Sequence, residues 1–158
     1  MAEEPSTISE KLQKLIGVRS EPVIFKVEEG AIQRYAEAIG DRNPLYNDID
    51  YAKKSKFGRL MCPPGFTGWP VKHRRITEGP VELLVKAGAP ARLLDGGVEF
   101  EFFEPIGAGE ILVASTTITN ITEKQTRLGR TLFTTIEIDY VNQNGSLALK
   151  AKQTFIMF

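Results

Sequence analysis

The chain has 158 residues, 42% of them hydrophobic and 25% charged, with 20 Lys and Arg against 20 Asp and Glu. That length suits one domain, expected over residues 1–158, able to bury roughly two thirds of its unfolded surface around one core. Zero net charge argues against a nucleic-acid-tracking protein, while one cysteine, Cys62, and one histidine, His73, exclude an internal disulfide and leave no His/Cys set with metal-site spacing.

The chain opens on Met1-Ala-Glu-Glu, acidic where a signal peptide is basic, and no apolar run approaches the roughly 18 residues of a membrane span. A soluble, cytoplasmic protein with no membrane partner is expected. Residues 6–16 read as an amphipathic helix, with Thr7 and Glu10 at capping-box spacing, Ile8, Leu12, Leu15 and Ile16 on one face, and Gly17 as its stop. Val23, Phe25 and Val27 alternate as a short strand. Ile32, Tyr35, Ala36 and Ile39 then fall at i, i+3, i+4 and i+7 before Gly40, the mark of a second helix.

From Asp41 to Pro80 the reading is irregular, because Asn43-Pro44, Pro63-Pro64-Gly65, Gly68 and Trp69-Pro70 interrupt any long periodic element. Within it, Asp50 has the chemistry to cap a short helix ending at Gly58. Residues 81–86 add a turn or two of helix before Gly88. Beyond them come strands: Val98, Phe100 and Phe102 alternate with Glu99 and Glu101, residues 111–119 are rich in β-branched side chains, and Leu132, Thr134, Ile136, Ile138 and Tyr140 share one face. Asn144-Gly145 tolerates the positive φ of a tight turn into a last strand over 146–157. Helices first and antiparallel strands afterwards make an α+β domain.

The stretch with the most chemistry runs from Tyr35 through Gly40-Asp41-Arg42-Asn43-Pro44-Leu45-Tyr46, with Cys62-Pro63-Pro64-Gly65-Phe66 after it. It resembles the active-site segment of the MaoC-like hydratases and dehydratases: an aromatic residue, Gly-Asp, one variable residue, Asn-Pro, a hydrophobic residue and a His. Gly96-Gly97, the run Phe102-Phe103-Glu104-Pro105-Ile106-Gly107-Ala108-Gly109-Glu110, and Tyr140-Val141-Asn142-Gln143-Asn144-Gly145 are similar to the N-terminal, FAS1-like dehydratase branch of that family. The resemblance spans roughly residues 8–157. It implies a single hot-dog domain, a curled antiparallel sheet wrapped around a central helix, and substrates that are acyl thioesters of coenzyme A or acyl carrier protein. No further cofactor and no metal is implied.

Interconverting a 3-hydroxyacyl and a 2-enoyl thioester needs proton transfer at the α carbon and the β oxygen, and donors for an enolate-like thioester oxygen. By position in the resembling motif, Asp41 matches the acid/base carboxylate, Asn43 the residue that orients it, and the Gly65 backbone N–H the oxyanion donor, where the lack of a Cβ permits close approach. Pro64, Phe66 and Trp69 fall beside it as substrate-contact candidates. The motif's His is replaced by Tyr46, and an ordinary phenol, with a pKa near 10, is ionised in only about one molecule per thousand at pH 7.

The resemblance therefore implies first a His-less, acyl-binding subunit paired with a catalytic relative, as a homodimer or as a heterodimer with a related hot-dog chain. A self-sufficient hydratase using Asp41 and Tyr46 is the alternative, followed by a hot-dog thioesterase or a non-enzymatic acyl-binding module. Each residue also has a plainer role: Asp41 and Asn43 as turn formers, Tyr46 as a packed phenol, Cys62 as a small packed residue, and Phe66, Trp69, Phe100, Phe102 and Phe103 as core rather than tunnel lining. Lys72, His73, Arg74 and Arg75 form a basic cluster, as do Lys53, Lys54, Lys56 and Arg59. Either is a solvated surface by default and a phosphate or carrier-protein contact as the alternative.

Overall fold

A computed structural model describes residues 8–66 and 74–158. The opening helix is a single turn, α1 (Glu10–Gln13), capped by Ser9, whose Oγ accepts from the Leu12 N–H; Thr7 lies outside the described residues. It stops early because the chain is drawn to the sheet, Gly17 N–H donating to Ile118 O and Ser20 N–H to Thr116 O, each at 2.7 Å. β1 (Val23–Lys26) follows, then α2 (Glu29–Ala38), which buries Ile32 and Ala36. Ile39 does not extend that buried face: it is the C-cap, 52% exposed, and Gly40 takes φ +70 to turn the chain away.

The stretch expected to be irregular holds two short helices, α3 (Pro44–Asn47) and α4 (Ile49–Lys54). Pro44 sits at the first helical position, where its missing N–H costs nothing. Asp48, not Asp50, caps α4, its Oδ1 accepting from the Tyr51 N–H at 3.0 Å, and the helix ends at Lys54 rather than Gly58. The larger correction is α5 (Arg74–Lys86), a 13-residue helix where the sequence suggested only 81–86, and one that continues through Pro80.

The rest is sheet: β2 (Leu93–Phe102), β3 (Ile111–Thr126), β4 (Gly129–Asn142) and β5 (Leu147–Met157), in spatial order β1-β3-β4-β5-β2 with every pairing antiparallel. The expected face of β4 is observed, with Leu132, Thr134, Ile136, Ile138 and Tyr140 all buried. Asn144-Gly145 lies in the connection from β4 to β5, Gly145 at φ +81. Register shifts between Ile118 and Asn120 and between Asp95 and Val98 mark the bulges that help curl the sheet. α5 packs on β3 and sends Ile76 and Leu84 into the core with Ile32, Leu112, Ile136 and Leu149. This is the α+β arrangement expected, a curled five-stranded antiparallel sheet with few helices.

Candidate active site

The site is assembled by a short cross-connection between two loops. Cys62 N–H donates to Ile106 O and Ala108 N–H to Leu60 O, both at 2.8 Å, bringing Met61 opposite Gly107. A buried carboxylate locks the pair together: Glu110 Oε1 accepts from Arg59 Nη2 at 2.9 Å and Oε2 accepts from the Gly107 N–H at 3.0 Å. Gly107 is demanded by space, since a Cβ there would lie 2.7 Å from Arg59 Nε and 2.9 Å from Met61 Sδ. Arg59 is therefore committed to an internal ion pair, while Lys53 and Lys54 remain exposed on α4.

Above this joint opens a cavity of about 400 Å³, lined mainly by apolar side chains and including Tyr46, Cys62, Pro64, Phe102, Phe103 and Glu104. Phe102 and Phe103, read first as core, are about half exposed and form its wall; Phe66 is buried in the core. Tyr46 lines the cavity while packing against the core. Glu104 is held in place by Asn142, whose buried Nδ2 donates to Glu104 Oε2 at 2.7 Å. Neither Glu104 nor Asn142 was a sequence candidate. Both lie inside the motif runs quoted above, but nothing in those runs says that residues 38 positions apart meet.

Asp41 stands elsewhere. Its carboxylate accepts from the Asn43 backbone N–H at 2.9 Å, and the Asn43 side chain in turn accepts from the Leu45 N–H at 3.0 Å as the cap of α3. Asn47 Nδ2 ties the turn from the other side, donating to the carbonyls of Asp41 and Asn43. Asp41 lines a surface depression with Gln33, Glu37 and Arg42, apart from the cavity lined by Tyr46. Within one protomer the two matched motif positions thus look into different spaces.

Gly65 takes φ +85, a conformation that favours glycine, and among the described residues its N–H meets no acceptor. Phe66 stacks on Tyr35 with ring centroids 4.6 Å apart, and a Cβ on Gly65 would lie 3.6 Å from the Tyr35 hydroxyl. The aromatic residue that opens the motif thus packs beside the Gly-Phe pair that closes it. Burial chiefly, with Glu110 nearby, pushes the Cys62 thiol up to about 12 against the opposing pull of Arg59, so it stays protonated at neutral pH and is no nucleophile. Trp69, Lys72 and His73 lie outside the described residues, and Arg74 and Arg75 form the first turn of α5. Among the described residues no cluster of His, Cys, Asp or Glu is placed to hold a metal, and no helix is long and apolar enough to cross a membrane.

Residues 14–151 match the family model described as FAS1-like, dehydratase domain region. A UPF0336 protein of Parafrankia sp. (strain EAN1pec) is 33% identical over 105 residues, 63% of this chain and 64% of that protein, so the match spans less than two thirds of the relative's length. Among solved structures, the ChsH1-ChsH2 complex from Mycobacterium tuberculosis superposes with a TM-score of 0.72 at 22% identity, covering 94% of each chain. The MaoC-like dehydratase from Rhodospirillum rubrum does so with a TM-score of 0.61 at 25% identity, covering 90% of this chain and 92% of that one.

Proposed function

The chain belongs to the FAS1-like dehydratase domain family of MaoC-like hot-dog proteins, and from that premise we propose that it serves as a His-less, acyl-binding subunit of a 3-hydroxyacyl-thioester dehydratase or enoyl-thioester hydratase. The acyl group of a coenzyme A or acyl-carrier thioester would lie against the apolar cavity lined by Tyr46, Phe102 and Phe103, and the proton transfers would come from a related, His-bearing subunit. Coenzyme A or the carrier enters only as part of the substrate.

The observation that carries this reading is that Asp41 and Tyr46 line different cavities of this protomer. A dehydratase needs two groups that trade protons with adjacent carbons of one bound substrate, so both must reach the same space. Here the carboxylate caps its own turn and faces one depression, while a phenol in place of the motif's imidazole faces another. What this protomer offers a substrate in that cavity is mainly an apolar wall, with Tyr46 and the Asn142-bound carboxylate of Glu104 among its few polar groups. The structural neighbour from Mycobacterium tuberculosis is itself a complex of two different chains, which supports a paired arrangement.

The test is the loss or gain of enoyl-thioester absorbance with crotonyl-coenzyme A and a longer-chain substrate, using wild type, Asp41→Ala and Tyr46→His. The expected result is no turnover by wild type alone and turnover on adding a His-bearing relative. Wild-type turnover abolished by Asp41→Ala overturns the subunit reading in favour of a self-sufficient enzyme.

A further inference from the structure

The wall of the 400 Å³ cavity holds two polar side chains of opposite hydrogen-bonding character, the carboxylate of Glu104 and the phenol of Tyr46. A carboxylate accepts, whereas a phenol can donate. Among the described residues Glu104 Oε1 has no hydrogen-bond partner, and neither has the Tyr46 hydroxyl. The rest of the wall, Leu45, Phe57, Phe102 and Phe103 among it, is mainly apolar.

Glu104 is fixed at both ends. Its backbone N–H and that of Phe103 donate to the Ala148 carbonyl at 3.1 and 2.9 Å. Its Oε2 accepts from Asn142 Nδ2 at 2.7 Å. Asn142 is buried and cannot turn its amide over, because its Oδ1 accepts from the N–H groups of Asn144 and Ser146 at 3.0 and 3.1 Å. The amide nitrogen therefore faces Glu104, and the group it holds there must be an acceptor. A carboxylate with one oxygen clamped and the other unpartnered, set among apolar side chains, is a preorganised acceptor for a donor on a ligand.

The apolar wall limits how many donors that ligand brings. An ammonium carries three N–H groups, and one carboxylate oxygen would leave the others facing hydrocarbon. A hydroxyl carries one donor for Glu104 and lone pairs for the phenol of Tyr46. In the subunit reading above, the reacting carbons must meet the His-bearing partner, so the part of the acyl group against this wall lies beyond them. Resting on that reading, we propose that Glu104 makes the cavity selective for acyl groups with a hydroxyl beyond the β carbon. A plain alkyl chain would desolvate the carboxylate and give it no donor in return. Glu104 is thus a specificity residue, and no proton transfer is assigned to it.

The test uses two probes of similar shape, cyclohexanol, which donates, and cyclohexanone, which only accepts. Binding of each to the full chain is read by NMR from the shifts of the cavity residues. Wild type should bind cyclohexanol about ten-fold more tightly, the low end for a bond to a charged group because Glu104 is partly exposed. Glu104→Gln should reverse the order: Asn142 claims the Gln oxygen, and the Gln NH2 group, a donor, is left to the cavity. Equal affinities in wild type, no shifts at the cavity with cyclohexanol, or an order unchanged in Glu104→Gln overturns the proposal.

Octanoyl-coenzyme A and analogues hydroxylated at single carbons beyond the third supply the acyl arm. At least one analogue should bind wild type about ten-fold more tightly than octanoyl-coenzyme A and lose that gain in Glu104→Gln. The two readings fail separately. Thioesters that bind with no preference for a hydroxyl at any position overturn the selectivity and leave the acyl-binding reading standing. A cavity that ranks the alcohol above the ketone yet takes no thioester overturns the acyl-binding reading and spares the hydroxyl site.

Discussion

The Thr116 hydroxyl donates a 2.7 Å hydrogen bond to the Ile76 carbonyl, the one helical acceptor that Pro80 leaves without its partner. A carbonyl at position i normally receives the N–H at i+4, and proline has none. Both groups are buried, so the orphan would otherwise stay unpaired in the core. One β-strand hydroxyl thus allows α5 to run through a residue that usually ends a helix.

Thr116→Val keeps the shape and removes the donor, and it should cost about 1–3 kcal/mol of stability. Thr116→Ser should retain most of it. Pro80→Ala restores the missing N–H, so the same Thr116→Val change made in that background should cost much less. Thermal melts of the four members of this cycle decide the matter: additive effects would rule the compensation out.

Asn142 carries three bonds besides its backbone, donating to Glu104 and accepting from the N–H groups of Asn144 and Ser146. Asn142→Ala should therefore destabilise by roughly 2–3 kcal/mol and loosen the turn into β5. Asn142→Asp places a second carboxylate against Glu104, and its loss should be larger at neutral pH and partly relieved in acid. Denaturant titrations at the two pH values check this, and equal losses at both would count against it.

Glu110 pairs with the partly exposed Arg59 and satisfies the buried Gly107 N–H, so Glu110→Ala strips both of these groups of their partner at once. With the Arg59 side chain 36% exposed, water offsets part of the loss, and roughly 2–3 kcal/mol is expected. Gly107→Ala should be comparably harmful by crowding Arg59, Met61 and the Leu60 carbonyl. Both variants should also make Cys62 easier to label, because they release the loop that buries it.

Cys62 should react slowly with iodoacetamide at pH 8 in the native protein and at the ordinary rate in denaturant, since burial raises its pKa to about 12. The sign for stability follows from the protonated form being favoured in the fold. The contribution is complete below the unfolded thiol's pKa of about 8.5 and is lost as pH rises toward 12. Cys62→Ser should flatten that alkaline decline. Rapid native-state labelling at pH 8 would refute the burial argument.

The candidate site was legible as a motif and not as a geometry. The run from Gly40 to Tyr46 and the Cys62–Phe66 loop identify the family, because the residue types at those spacings are written in the chain itself. Where their side chains look is a different matter. Asp41 and Asn43 form successive turns with their own backbone, a local competition that short polar side chains win beside a Pro-nucleated helix. Tyr46, one turn later, reaches a cavity whose other wall comes from Phe102 to Ile106.

By itself the sequence determined what depends on near neighbours: the second helix from its 3.6-residue period, the β4 face from its alternation, and the Asn-Gly turn from backbone sterics. Only the tertiary structure decided what depends on groups distant along the chain. It carries α5 across Pro80 because Thr116 supplies the missing donor, and sets Glu104 by Asn142. Hydrogen bonds of that kind join residues 40 and 38 positions apart, and periodicity holds no record of them.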